Sequence, residues 1–203
     1  NQIKPHNDDL VHQHGLIFAY NMLAGIGHVI VDIERGLTRG LGDIRDEALR
    51  KARQLETHPE DALAPQKTSF YKAVGIAIDG LITYANRYAR HAEVLAGQEK
   101  DEQRRAELLR IAEACRWVPE HPARNCFEAL QCMLFMLVAN QMESCEISIC
   151  PGRMDQWLYP IYQRDVQGGV FATDEVVELL EYIMGRHGQS SWLYSGRQQG
   201  LLF

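Results

Sequence analysis

The stretch Glu143–Asp165, ESCEISICPGRMDQWLYPIYQRD, decides how this chain is read. It joins a strongly apolar run to a turn, a compact charged cluster and an aromatic landing. Pro151 fixes φ, and Gly152 lets the backbone reverse or approach another group closely, so the pair marks a turn. Arg153 and Asp155 follow at once, then Gln156, Trp157, Tyr159, Pro160 and Tyr162. Unpaired charges beside so much apolar surface are costly, so both are expected to be paired or wet. By spacing alone, the stretch reads as a structural clamp at a helix–strand junction.

Working outward, Glu146–Cys150 (EISIC) is short and β-compatible. The helix before it, with its interior at Phe127–Val138, is apolar nearly all round, and Asn125 is suited to cap it. A free-standing domain of this size rarely wraps a helix so completely, which points to a chain belonging to a larger body. Upstream, Lys100–Cys115 forms an amphipathic helix whose buried side is Leu108, Leu109, Ile111, Ala112 and Cys115; Trp117-Val118-Pro119 ends it, because Pro disfavours helical geometry in the residue before it. The clearest helix runs over Ser69–Gln98. Phe70, Val74, Ala77, Ile78, Leu81, Ala85, Tyr88, Ala92 and Leu95 recur at threes and fours, and Thr68 or Ser69 can cap the first turn. His58–Lys67, with Pro59 and Pro65, reads as a linker, and Asp43–Leu55 as a short surface helix. Downstream, Thr173, followed by Asp174 and Glu175, is expected to cap a last helix through Met184, the acids suiting its N-terminal dipole.

The 203 residues are enough to bury a real core. A formal charge of −6 and a pI near 5.7 argue against a general binder of nucleic acid or anionic membrane. No run approaches the ~18 apolar residues that a membrane span needs. The polar N-terminus lacks an initiating Met and a secretory pattern, so it is expected to lie inside a longer protein. The five cysteines are Cys115, Cys126, Cys132, Cys145 and Cys150, an odd count that suits a reducing cytoplasm. None forms a C-x-x-C pair, so no zinc or iron–sulfur site is expected, and most thiols read as buried small hydrophobes. His6, His12 and His14 read as solvated, without the partners of a metal site.

The decisive stretch resembles the glycyl radical enzymes, whose members carry a block close to E-S-N-G-H-S-x-S-x-G-R-x-D-Q-Y-L-Y-P-Y-Y. The matching residues are Glu143, Ser144, Ser148, Gly152, Arg153, Asp155, Gln156, Leu158, Tyr159, Pro160 and Tyr162. Gly27-His28-Val29-Ile30-Val31-Asp32, with Gly36-Leu37 and Gly40-Leu41, is similar to the family's early G-H segment. Ala112-Glu113-Ala114-Cys115-Arg116-Trp117-Val118-Pro119, Pro122 and Phe127-Glu128-Ala129-Leu130-Gln131 resemble its A-E-x-C-x-W-x-P…P…F-x-E-A-L-Q. The likeness lies nearest the dehydratase-like branch of glycerol and hydroxyproline dehydratases rather than pyruvate formate-lyase proper. It implies a mainly α portion with one or two short strands, part of the family's large ten-stranded α/β barrel. Residues 1–184 then belong to the pyruvate formate-lyase-like domain, and 185–203 form a divergent or truncated tail.

The resemblance carries His28 and Ser148 over as substrate-binding residues. A neutral imidazole can donate to one substrate oxygen and accept from another. Without the resemblance, His28 reads as a hydrogen-bonded structural histidine. Ile147 stands where diol dehydratases have histidine, which removes a donor and acceptor that a vicinal diol needs and argues against glycerol itself. Glu146 is expected to face solvent, the other reading being recognition of a cationic substrate. Glu143, Arg153 and Asp155 form an architectural set near the pocket; Arg153 would hold a carboxylate ionised, the wrong poise for a general acid.

The implied function is C–O or C–N bond cleavage in a small polar metabolite under anaerobic, cytoplasmic conditions. The implied chemistry needs a glycyl radical, installed by a radical-SAM activating enzyme, and a thiyl cysteine in a C-x-E loop. Neither that loop nor the family's R-V-x-G-Y occurs here; Cys126-Phe127-Glu128 belongs to the F-x-E-A-L-Q helix. No catalytic residue, directly bound cofactor or metal is therefore expected in this chain, and alone it is expected to be inactive. A small-molecule substrate, the activating enzyme and a homodimer are the expected partners, with no nucleic acid or membrane. The alternatives are a non-catalytic helical remnant or interaction module, or one half of a split enzyme.

Overall fold

A computed structural model describes residues 29–57, 61–144 and 150–190. Among the described residues seven α-helices follow one another: α1 (Ile33–Arg39), α2 (Leu41–Glu56), α3 (Ala64–Gln98), α4 (Glu102–Trp117), α5 (Cys126–Ser144), α6 (Met154–Gln167) and α7 (Thr173–Ser190). Among the described residues the only β-pairing is an isolated parallel bridge between Ile30 and Cys150. The strand expected over Glu146–Cys150 lies outside the described residues except for Cys150.

Helix α5 is the hub. It packs against α1, α3, α4, α6 and α7, and Cys126, Ala129, Leu130, Cys132, Met133, Phe135, Met136 and Leu137 are all buried. At about 1.5–3 kcal/mol for each large apolar side chain removed from water, this helix carries a dominant share of core burial. The chain's own helices cover much of α5, and Phe127, Leu134 and Val138 stay half-buried. Its start follows the local rule: the Asn125 Oδ1 accepts from the Glu128 amide at 3.0 Å.

The long helix α3 packs chiefly against α2 and α4. It begins at Ala64, earlier than expected, because Pro65 falls in the first turn, where no amide is needed. Its buried seam is Gly75, Ile82, Ala85, Ala89, Ala92 and Ala96, whereas Phe70, Tyr88 and Leu95 are exposed. The expected apolar stripe is thus rotated. Small residues let the neighbouring helices approach closely; a Cβ on Gly75 would come within 2.9 Å of a Leu49 methyl.

Two segments that the sequence singled out separately interlock. The Leu41 and Gly42 amides at the start of α2 donate to the Pro119 and Glu120 carbonyls at 2.8 and 2.9 Å, and the Ala123 amide donates to the Leu37 carbonyl at 2.9 Å. Gly40 sits between α1 and α2 at φ +75°, where a Cβ would meet the Glu120 carbonyl oxygen at 2.4 Å. The glycines here are demanded by close approach as well as by φ.

Candidate functional site

The frame of the site is built where the start of α1 meets the start of α6. Asp32 caps α1, its Oδ1 accepting from the Arg35 amide at 3.1 Å, and Ile33 and Leu37 anchor that helix in the core. The extended residues just before α1 pair with those just before α6: the Cys150 amide donates to the Val29 carbonyl at 3.1 Å. Gly152 follows at φ +71°, with space for a Cβ only 3.2 Å from the Ile30 side chain. The buried Trp157 then folds back, its Nε1–H donating to the Pro151 carbonyl at 3.1 Å. This latch ties the turn to the helix that follows it.

Arg153 and Asp155 are brought together. Arg153 Nε and an Nη donate to the two Asp155 oxygens at 2.9 and 2.6 Å, with side-chain exposures of 70% and 64%. The hydrogen bond from Arg153 holds the Asp155 carboxyl below the usual carboxylate range. An ionised, paired carboxylate is not a proton donor. Glu143 belongs to the last turn of α5, though its side chain, like His28 and Ser148, lies outside the described residues.

The C-x-E sequence at Cys126 opens helix α5 and is packed into the core. Cys126 is fully buried, its thiol pushed up to about 12 by burial and then by Asp165. Glu128, 3% exposed, is locked to Arg124, which donates through Nε at 2.9 Å, through an Nη at 2.5 Å and through its backbone amide at 2.7 Å. Burial likewise raises the Cys115 thiol to about 11 and that of Cys132 to about 12. Only Cys150 is exposed among the described cysteines. Among the described residues no group of three His, Cys, Asp or Glu side chains could hold a metal ion, and no helix is long and apolar enough to cross a membrane.

Sequence reasoning gave Asp165 no role, yet it clamps α6 to α5. Its buried Oδ2 accepts from the Cys126 amide at 2.6 Å, while Oδ1 accepts from Arg164 at 3.0 Å and 3.1 Å. Arg164 in turn donates to the Arg124 carbonyl at 2.6 Å. The one sequence signal was an acid closing a segment whose other anchors are aromatic and apolar.

A family model described as pyruvate formate lyase-like matches residues 2–197. The chain belongs to that family. This pyruvate formate lyase-like chain is 38% identical over 152 residues to the isethionate sulfite-lyase of Oleidesulfovibrio alaskensis, a match covering 74% of this chain and 18% of that enzyme. A solved structure concerned with 1,2-propanediol dehydration in Roseburia inulinivorans aligns at 40% identity and a TM-score of 0.73, covering 79% of this chain and 20% of the other. The hydroxyproline dehydratase of Clostridioides difficile, with trans-4-hydroxy-L-proline bound, aligns at 28% identity and a TM-score of 0.77, covering 88% and 23%. By their names these relatives are a lyase and dehydratases, in line with the dehydratase-like branch that the sequence motifs resemble. The chain spans about 18% of the length of the curated relatives it matches.

Proposed function

We propose that this chain is the substrate-pocket portion of a glycyl radical lyase of the dehydratase type, cleaving a C–O or C–N bond in a small polar metabolite. The observation that carries the reading is the parallel pairing of Ile30 with Cys150. His28 immediately precedes Val29, and Ser148 stands two residues before Cys150. The family resemblance carries both over as substrate-binding residues, an imidazole and a hydroxyl able to hold substrate oxygens. The Trp157 latch and the Arg153–Asp155 pair fix the turn that follows Cys150.

The thiyl cysteine and the radical glycine belong, on this reading, to polypeptide beyond this sequence. A radical-SAM activating enzyme installs the radical, and the chain alone does not turn over. The assembled enzyme is a cytoplasmic homodimer. The aliphatic Ile147 favours a substrate less polar than glycerol at that position. A second reading, a non-catalytic module or half of a split enzyme, draws on one observation: the chain covers much of α5 with its own helices.

The test is the native gene product, isolated anaerobically and treated with its activating enzyme. A glycyl radical signal in electron paramagnetic resonance and turnover of a diol, sulfonate or hydroxy-amino acid would establish the lyase. His28→Ala and Ser148→Ala should then lower kcat/KM by about tenfold or more each, one substrate hydrogen bond apiece, with the radical signal intact. Full turnover in both variants would refute the pocket assignment. A native product of 23.1 kDa that forms no radical would favour the module or the split enzyme.

A further inference from the structure

We propose that the cleft between α4 and the first turn of α5 is an oxyanion site, built to hold a carboxylate or phosphate on Arg110. The cleft is open to solvent, holds about 370 Å³ and is walled in part by the exposed Arg110 with Glu113, Arg124, Phe127 and Glu128. It lies apart from the Ile30–Cys150 frame in sequence and is not used in the function proposed above.

Four observations converge. The Arg110 guanidinium carbon lies 4.5 Å from the Phe127 ring centroid and 4.8 Å from that of Phe171, so aromatic stacking already restricts its rotamers. The carboxylates of the cleft are committed elsewhere: Glu128 and Glu113 both accept from Arg124, at 2.5 and 2.9 Å. Arg110 consequently has no acceptor among the described residues, although its planar fork matches a two-oxygen anion. Finally, the cleft opens on the N-terminal turn of α5, a helix of 19 residues, where amides and dipole favour negative charge. The Phe127 amide has no acceptor among the described residues, whereas the Cys126 and Glu128 amides are satisfied by Asp165 and Asn125.

Glu113 opposes the binding of an anion, but its side chain is 69% exposed and its charge is screened. Removing that charge should therefore strengthen the site, an outcome that a merely structural Arg110 does not produce. The oxyanion can come from a free small acid or from an Asp or Glu side chain of a polypeptide segment, and the probes separate the two.

The experiment titrates the isotope-labelled 203-residue chain with inorganic phosphate and, separately, with a short blocked peptide bearing one glutamate. The Nε–Hε resonance of Arg110, assigned through Arg110→Lys, is followed by NMR. A saturable shift with a Kd on the order of 1–10 mM is expected, weak as a single charge-assisted contact in water should be. Read at the Phe127 backbone amide, which the substitution leaves in place, saturable binding should be lost in Arg110→Lys, and Glu113→Gln should tighten it about two- to fivefold, the size of one exposed charge interaction. Saturation by phosphate identifies a free-anion site, and saturation by the peptide alone identifies a socket for an acidic side chain. Linear, unsaturated shifts with both probes, or equal binding in Arg110→Lys, overturn the proposal.

Discussion

Gly40→Ala tests how the two halves of the helical body are locked together. Gly40 has φ +75° and ψ +147°, a region that only glycine occupies at low cost. Forcing an alanine there costs about 1–3 kcal/mol in backbone strain alone. The new Cβ would also lie 2.4 Å from the Glu120 carbonyl oxygen and 2.8 Å from the His121 Cα, both on the main chain and unable to rotate away. Moving that loop adds about 1–3 kcal/mol of overpacking and loosens the Leu41 and Gly42 amide hydrogen bonds. The expected loss is therefore about 2–6 kcal/mol, a large share of the 5–15 kcal/mol available to a typical domain. Gly169→Ala is the internal control: φ is +68°, yet nothing lies within 4 Å of the added Cβ. It should cost about 1 kcal/mol, the conformational penalty by itself. Thermal unfolding followed by circular dichroism reads both, at about 2–4 °C per kcal/mol for a chain of this size. Equal shifts in the two variants would show that the 119–121 loop gives way freely, and the interlock would carry no stability.

Two further variants probe charge. Asp165→Ala strips the buried acceptor from the Cys126 amide and one partner from Arg164, and should cost about 2–3 kcal/mol in urea unfolding; a loss below about 0.5 kcal/mol would mean that water replaces the carboxylate. The Glu47 carboxyl is held down to about 2, from 4.5, by hydrogen bonds from Lys51 and then Arg39. A carboxyl lowered on folding stabilises above its unfolded value, and that contribution fades as pH falls from 4.5 towards 2. Glu47→Gln should flatten the acid-side fall in melting temperature across that window, and an unchanged acid profile would refute the pairing.

Local rules were legible wherever the deciding partner lay within a few residues. Asn125 caps α5, because its signal acts within one turn, whereas Thr173, expected as a cap, is the first residue of α7, and Glu175 accepts from the Ala172 amide at 2.7 Å. Helix α6 was hidden by Pro160, which stands inside it. Burial of Trp157 and Leu158 outweighs the hydrogen bond that a mid-helix proline forfeits. The seam of α3 was misjudged for a different reason. Phe70, Tyr88 and Leu95 look like core residues, but which face is covered depends on how closely α2 and α4 can approach, and alanine and glycine permit more. Helix α1 was not foreseen, since seven residues give too short a period to read. At the site, the adjacency of Arg153 and Asp155 was visible in the sequence. The meeting of Val29 with Cys150 spans most of the chain, and no local signal announces it.

That meeting also raises the question of what keeps it formed. A single interstrand hydrogen bond contributes only about 1 kcal/mol and cannot order two segments by itself. The order is exported from the helical body, through the Asp32 cap on one side and the Trp157 latch on the other. Trp157→Phe probes the second contribution, because it keeps an aromatic ring in the core while removing the donor to the Pro151 carbonyl and part of the buried indole. Global stability should fall by about 1–3 kcal/mol, one hydrogen bond plus the lost packing. If the latch positions the turn, hydrogen exchange at the Cys150 amide should accelerate by more than the measured global loss explains. Amides in the middle of α5 should accelerate only in step with global stability. Equal acceleration at both places would show that the turn is held by the core as a whole, and that Trp157 contributes packing but no local order to the frame of the pocket.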